Sequence, residues 1–412
     1  MIHRLEVENF YSIRETQVID LSIGAKVPDE EGRFAEIKDG SGARVPKTVA
    51  LFGANASGKS NVLRVLKFVS WFLEKSLKPS PSDPLPISRF ADGNSDPIRI
   101  EVSFDIDAAQ GAMGERTFGQ ATASRYIYEL RLHGGEGEQL SVLSEELREK
   151  PATGKSRRVF KRTESGEIQD SVNFPLKGLS QILSKLRSNA SLTATLAQVS
   201  EHAATKVLLR WAEEIETNIF NISDNPFERS TEIDEQDLFK WYNAHPVLVD
   251  DINVVLGRVD LGIRSMSLTQ TIIGPEPQFQ HLGLTKPLLF PFESEGTRQF
   301  VRIYPYIWDA LQYGGIVAID EIDAKIHPAI LPEVLRWFHD AKTNPRGAQL
   351  WITGQSASLL EDMRKEEIFF TEKDQQGRTR IYGLSDIESV RRSDNFYQKY
   401  LGGVYGAVPR IG

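Results

Sequence analysis

The sequence predicts an α/β protein whose central sheet is assembled from two distant halves, separated by an antiparallel β subdomain and a helical lobe. Three observations predict this. "TVALFG" (48–53) is an apolar strand followed by a Gly-rich turn and a helix with apolar residues at Val62, Leu63, Val65, Leu66, Val69, Phe72 and Leu73. Near the other end, "GGIVAID" (314–320) and "QLWIT" (349–353) are two more short apolar strands, each after a helical stretch. Between them lie about two hundred residues that read first as strands and then as helices.

Taken in order, residues 2–7 and 17–23 alternate as two strands around the turn "ENFYSIRE". A polar stretch from Gly24 to Lys47 precedes "TVALFG". "KPSPSDPLP" (78–86) stops the helix that follows it. "IRIEVSFDI", "RYIYELRL" and "RVFKR" then read as strands, up to about Phe160. From about Leu176 to Asn221 the pattern is helical, as in "VLLRWAEEIETNIF"; "DDINVVLGRVD" and "GIRSMSL" are more mixed. No apolar heptad persists over three or four turns, so no long coiled coil is expected.

The 412 residues are 40% hydrophobic and 26% charged, the balance of an ordinary globular protein with room for several lobes. No stretch is apolar enough to span a membrane, and "MIHRLEVENF" lacks the layout of a signal peptide, so a cytoplasmic location is expected. Without cysteine there is no disulfide, thiolate chemistry or cysteine metal site. The seven histidines show no HxxxH or HxH pair, which argues against zinc. A net charge of −8 disfavours a nucleic-acid coat but leaves room for a local basic groove.

"GANASGKS" (53–60) matches the phosphate-binding pattern G-x-x-x-x-G-K-[ST], with a strand before it and a helix after it. Gly53 and Gly58 let backbone N–H groups converge on phosphate oxygens. The helix amino end adds positive potential. Lys59 suits the β- and γ-phosphates, and the Ser60 hydroxyl suits Mg²⁺. Asp320 and Glu321, at the end of the second strand, supply one carboxylate for Mg²⁺ and a next one that can take a proton from water. "FESEGTRQF" (292–300) places Ser294, Gly296 and Thr297 at a helix start, an anion site by chemistry, although Ser294 as a plain cap explains it equally well. "GKSRRVFKR" (154–162) could meet a phosphate backbone, but a solvated hairpin face is commoner. "TEKD" (371–374) has the wrong spacing for a guanine-reading motif, which favours ATP over GTP.

The order of these pieces resembles the ABC-type ATPase heads of the SMC, Rad50 and RecF group, and more closely the RecF-like AAA-family ATPases of bacterial anti-phage, abortive-infection operons. The residues carrying the likeness are "LEVENFYSIRE", "GANASGKSN", "ESEGTRQF", "VAIDEIDAKIHP", "QLWIT" and "YLGGVYGAVP". It covers residues 1–75 and about 285–412 well, and the middle only loosely. The resemblance implies an ABC-ATPase head whose cofactors are ATP and Mg²⁺. It implies residues 1–77 as the N-terminal core half with the Walker A loop, 78–175 as the antiparallel β subdomain, 176–284 as the inserted helical lobe, and 285–412 as the C-terminal core half. Gly53, Asn55, Ala56, Ser57, Gly58, Lys59, Ser60 and Asn61 would contact nucleotide. Ser60 and Asp320 would hold Mg²⁺, with Gln198 in "LAQVSEH" as a Q-loop candidate that could equally be a solvated helix residue. Glu321 would activate water. Ser294, Gly296 and Thr297 would reach the γ-phosphate bound to the other subunit, and Asp323 would sit at the dimer interface.

One position departs from the family. The strand after Asp-Glu commonly ends Thr-Thr-His, and the histidine reaches the γ-phosphate; here Thr353, Gly354 and Gln355 stand there. Glutamine can donate a hydrogen bond but never carries charge. Slow hydrolysis is therefore expected, with ATP mainly joining subunits, although Gln355 could also serve as an ordinary donor. His327, in "KIHP", suits packing rather than catalysis. Three functions follow: an ATPase switch, at least a homodimer with room for a higher assembly, that controls a separately encoded nuclease-like effector and answers a DNA or phage-protein trigger; a RecF-like repair ATPase that clamps DNA; or a scaffold glued by nucleotide.

Overall fold

The computed structural model describes residues 1–29, 31–37, 41–106, 124–134, 139–150, 154–169, 171, 174, 176, 178–198, 203–219, 235–259, 262–325 and 330–408. Its central feature is a six-stranded sheet in the order Ile215–Thr217, Ile316–Ile319, Gln349–Thr353, Thr48–Phe52, Ile368–Lys373, Thr379–Gly383. The first five strands run parallel, and the last returns antiparallel to its neighbour. The strands at 48–52, 316–319 and 349–353 are buried at every residue. That is why they read as continuous apolar runs: helices or a second sheet cover both faces of a parallel sheet. Parallel strands end together, so residues from 53, 218, 320 and 354 onward emerge along one edge, where ligands of open α/β sheets bind.

A second, antiparallel sheet of seven strands has the order Ile168–Gln169, Arg157–Thr163, Ser141–Lys150, Ser124–His133, Ile98–Ile106, Ile2–Glu8, Gln17–Asp20. The helix Lys59–Lys75 shares one core with it, burying Val62, Leu66, Val69 and Leu73 beside Ile98, Ile100, Val102 and Phe104. Phe104 stacks on Trp211, with ring centroids 3.9 Å apart. The two N-terminal strands, expected with the core half, are hydrogen-bonded into this antiparallel sheet through Ile2–Glu8 and Ile98–Ile106. Gln349 ties the two sheets together: its Oε1 accepts from Ile2 N at 2.9 Å, and its Nε2 donates to Ile2 O at 3.1 Å and Pro46 O at 3.0 Å. A fully buried amide is tolerable only when satisfied in this way.

The inserted region carries the helices Leu192–Ala197, Ala203–Glu213, Glu235–Ala244 and Pro246–Val259, and closes with the hairpin Ile263–Thr271 and Gly274–His281. The hairpin buries Ile263 and Met266, whose odd spacing is absorbed by a register shift between Ile263 and Ser265, together with Phe279, and Gly274 after its turn adopts φ +132. A longer helix, Glu295–Tyr313, follows. At 19 residues it is the longest among the described residues, which hold no long coiled coil. No helix among them is long and apolar enough to cross a membrane.

Candidate functional site

The loop after Thr48–Phe52 is curled and strapped down. Gly53, Ala56 and Gly58 have φ of 152, 61 and 110. A Cβ on Gly53 would collide with the Thr371 carbonyl, and one on Gly58 with the Thr379 side chain, so both positions require glycine. Ser57 Oγ pairs with Thr371 Oγ1 at 2.6 Å, and Thr379 Oγ1 donates to Ser57 O at 2.8 Å. Asn61 Nδ2 donates to Ser12 Oγ at 2.7 Å, and Ser12 Oγ lies 2.7 Å from Thr379 Oγ1. The loop's shape is therefore held by the 371–379 hairpin and the first turn of the chain. Asn55 and Ala56 stand exposed at its crest.

Lys59 is buried and folds back on the loop, donating to Gly53 O at 2.8 Å and Ala54 O at 3.1 Å. Burial holds its ammonium below the ordinary lysine value, while the carboxylates of Asp320, Glu321 and Asp323 pull the other way. Gly58 caps the helix Lys59–Lys75 without any side-chain bond, so the helix amino end faces the loop uncapped.

The two carboxylates at the end of Ile316–Ile319 are held from both neighbouring strands. Asp320 Oδ1 accepts from Ser60 Oγ at 3.0 Å and from Thr353 Oγ1 at 2.5 Å. Its backbone N–H donates to Asn218 Oδ1 at 2.8 Å, and its carbonyl accepts from Asn218 Nδ2 at 3.3 Å. Glu321 is exposed, at φ +52, with its N–H on Thr353 Oγ1 at 2.8 Å. A non-glycine residue in this region costs roughly 1–2 kcal/mol and persists where the surroundings hold it. Gln355 Nε2 donates to Glu321 Oε1 at 3.0 Å. Asp323 Oδ2 accepts from the backbone N–H of Gln355 at 2.6 Å and from that of Ser356.

These residues fit a nucleotide with Mg²⁺. A glycine-shaped loop, a buried lysine and an open helix end suit phosphates. The Ser60 hydroxyl and Asp320 carboxylate stand together as two hard oxygen donors. Among the described residues no group of three or more His, Cys, Asp or Glu could enclose an ion alone. Mg²⁺ characteristically takes one or two protein oxygens and completes its shell with phosphates and water.

The family profile described as "AAA domain, putative AbiEii toxin, Type IV TA system" matches residues 49–361, from the strand before the loop to just beyond Gln355. The chain belongs to this AAA family. It is an ATPase family, and the matched span contains the loop and the carboxylate pair described above. No curated protein sequence matches the chain. Similar solved structures include an SMC head with an extended coiled coil bound to the C-terminal domain of ScpA, from Pyrococcus furiosus (14% identity, 98% of this chain and 99% of that one, TM-score 0.47). Others are an SMC head bound to the C-winged-helix domain of ScpA (13%, 93% and 97%, 0.44) and the SMC head of Thermotoga maritima (11%, 93% and 98%, 0.41).

In this AAA-family chain Ser294, Gly296 and Thr297 do not join the loop. Ser294 caps the helix Glu295–Tyr313, its Oγ accepting from Thr297 N at 3.1 Å and pairing with Thr297 Oγ1 at 2.8 Å. Ser294, Glu295 and Gly296 are exposed, and the space beside Gly296 is open.

Gln198 stands apart from these groups. It is the exposed C-cap of Leu192–Ala197 and makes no hydrogen bond to Ser60 or Asp320. The polar residue that reaches Asp320 from the inserted region is Asn218. Its segment reads as helix from sequence, yet Ile215–Thr217 is an edge strand beside Ile316–Ile319. The run Ile-Glu-Thr-Asn-Ile is rich in β-branched residues, but the strand itself is only three residues long.

His327 lies outside the described residues. In the basic stretch, Arg158 and Lys161 pair with Glu146 at 3.3 Å each, and Arg162 is buried beside Glu145 at 3.7 Å. Arg158 and Lys161 thus lie on the hairpin face, whereas Arg162 belongs to the buried interior. Asp374 caps the 374–378 turn, accepting from Gln376 N and Arg378 N at 2.9 Å each, so its carboxylate is engaged in the turn.

Proposed function

We propose that this chain is an ATP-dependent switch in which two copies join around ATP and Mg²⁺, hydrolyse it slowly, and regulate a separately encoded, nuclease-like effector in anti-phage defence. The observation that carries the slow step is the Gln355 amide on Glu321. Lys59 and the loop N–H groups bind the phosphates, and Ser60 and Asp320 hold Mg²⁺, which neutralises phosphate charge. Glu321 orients the attacking water and takes its proton. Gln355 offers that site a neutral donor where the related enzymes present a histidine, so stabilisation of developing charge is weaker.

The exposed Ser294–Gly296 turn supports completion of the site by a second copy. A patch on each subunit that meets the other's loop is self-complementary, which favours a closed dimer; larger assemblies through the inserted region remain compatible with it. The family's association with type IV toxin–antitoxin systems supports a two-component defence setting, with DNA or a phage protein as trigger.

The test is nucleotide-dependent mass in solution, with Mg²⁺ and ATP, for the native chain and for Lys59→Ala and Gly296→Trp. The reading expects an ATP-dependent dimer lost in both variants, with Gly296→Trp still binding nucleotide as a monomer. A mass independent of ATP, or Gly296→Trp dimerising normally, contradicts it.

A further inference from the structure

Thr353 was singled out in sequence only as one end of a departed motif. Its hydroxyl contacts both carboxylate residues at the end of the neighbouring strand. Thr353 ends the strand that lies between the loop strand and the carboxylate strand, paired with Leu51 on one side and adjoining Ile319 through Ile352 on the other. It is fully buried. Its Oγ1 accepts from Glu321 N at 2.8 Å and donates to Asp320 Oδ1 at 2.5 Å.

We propose that Thr353 is a positioning residue: one hydroxyl fixes the Asp320 carboxylate for Mg²⁺ and the Glu321 peptide for catalysis at the same time. This rests on the ATP-and-Mg²⁺ reading above.

The hydrogen-bond inventory leaves no alternative direction. A hydroxyl has one hydrogen and two lone pairs. The Glu321 N–H can only donate, so it takes a lone pair and the hydroxyl hydrogen must go to Asp320. The short distance fits a charge-assisted bond to an ionised carboxylate. Asp320 Oδ1 also accepts from Ser60. When the lone pairs of Ser60 turn to a metal, Thr353 remains a fixed donor that keeps the Asp320 carboxylate from rotating.

The second bond does separate work. The strand ladder ends at Ile319, so the N–H of Glu321 has no strand partner. Thr353 accepts it instead and holds Glu321 at φ +52. That backbone conformation presents the Glu321 side chain beside Gln355. Without the hydroxyl, a part-buried N–H is left unpaired and the left-handed residue loses its anchor.

Thr353→Val keeps the shape and removes the hydroxyl; Thr353→Ser keeps the hydroxyl and removes the methyl. A fluorescent ATP analogue is titrated with and without Mg²⁺, and turnover is measured in parallel. Thr353→Val is expected to raise the Mg²⁺ concentration for half-maximal binding, and to lower kcat, each on the order of 10–100-fold, the usual effect of losing a partner behind a metal ligand. Metal-free binding stays within about twofold, because the phosphate loop is untouched. Thr353→Ser stays near the native chain in all three.

If Thr353→Val does not fold, as lost metal-free binding would show, Thr353→Ala against Thr353→Ser gives the same comparison, since both lack the methyl and differ in the hydroxyl. The proposal is overturned if the hydroxyl-free variant matches the native Mg²⁺ dependence, or if Thr353→Ser falls as far as Thr353→Val. A native chain that binds no nucleotide overturns the underlying reading and the proposal together. One that binds Mg-nucleotide while ignoring the loss of the hydroxyl overturns the proposal alone.

Discussion

Gln355 and Glu321 are joined by a single hydrogen bond, Nε2 to Oε1 at 3.0 Å, and the backbone of Gln355 is in turn held by the Asp323 carboxylate at 2.6 Å. The Glu321 carboxylate, the general base of the proposed mechanism, is thus engaged by a neutral amide. The backbone N–H of Gln355 is tied to Asp323, in the first turn of the helix Ile322–Lys325. An acceptor whose lone pair is already occupied is a poorer base, and an uncharged donor does less for the developing negative charge.

Glu321→Gln separates binding from chemistry. The glutamine fills the same space and cannot take a proton, so kcat should fall about 10²–10⁴-fold, the range for a lost general base. Nucleotide affinity should hold, and the ATP-joined form should accumulate. Single-turnover assays alongside mass measurement check this; equal losses of binding and turnover would place Glu321 in binding instead.

Gly58→Ala should abolish tight nucleotide binding. At φ +110 an alanine is strained, and its Cβ would meet the Thr379 side chain. The left-handed cost alone is roughly 1–2 kcal/mol, or about tenfold in affinity, before the collision is counted. Titration with a fluorescent nucleotide reads it directly. Gly166→Ala, also at positive φ but with open space around it, should leave binding unchanged.

Asn218→Ala leaves the N–H of Asp320 without the acceptor it now has at 2.8 Å. A buried donor left unsatisfied costs about 1–3 kcal/mol. Turnover should fall with little change in metal-free nucleotide binding. The same change at Gln198, exposed and distant in bonding from the site, should have no effect on either.

Stability should depend on Glu367, at the opposite end of the sheet. It is fully buried, accepts from Arg33 Nη1 at 2.9 Å and from Arg364 N at 2.7 Å, and lies 3.2 Å from His339 Nε2. Burial raises its pKa, but His339, Arg33 and Thr48 together bring it below the ordinary 4.5. A depressed carboxylate stabilises the fold above its unfolded pKa and loses that contribution as pH falls through the folded value. Unfolding free energy should therefore decline below about pH 4.5 and do so less in Glu367→Gln. At neutral pH that variant should be destabilised by roughly 3–5 kcal/mol, the cost of breaking a buried ion pair. Denaturant titrations across pH measure both.

The strands of the parallel sheet were legible because burial on both faces writes an unbroken apolar run, and the loop was legible because phosphate chemistry restricts residue type at fixed spacing. The contacts among these pieces were not. Thr379 and Thr371 strap the loop from more than three hundred residues away, and nothing in their local pattern distinguishes them from other strand threonines. Asn218 was hidden because a three-residue edge strand is too short to show a period against the helix before it. Glu321's φ of +52 is set by Thr353, a tertiary contact that no single stretch encodes.

Steady-state Mg²⁺-ATP turnover, measured beside ATP-dependent mass for the native chain and Gln355→His, tests the central claim most directly. The account predicts a native chain that dimerises with ATP and turns over slowly, with Gln355→His raising kcat on the order of tenfold through restored charge stabilisation. Brisk native turnover that the histidine leaves unchanged would contradict it.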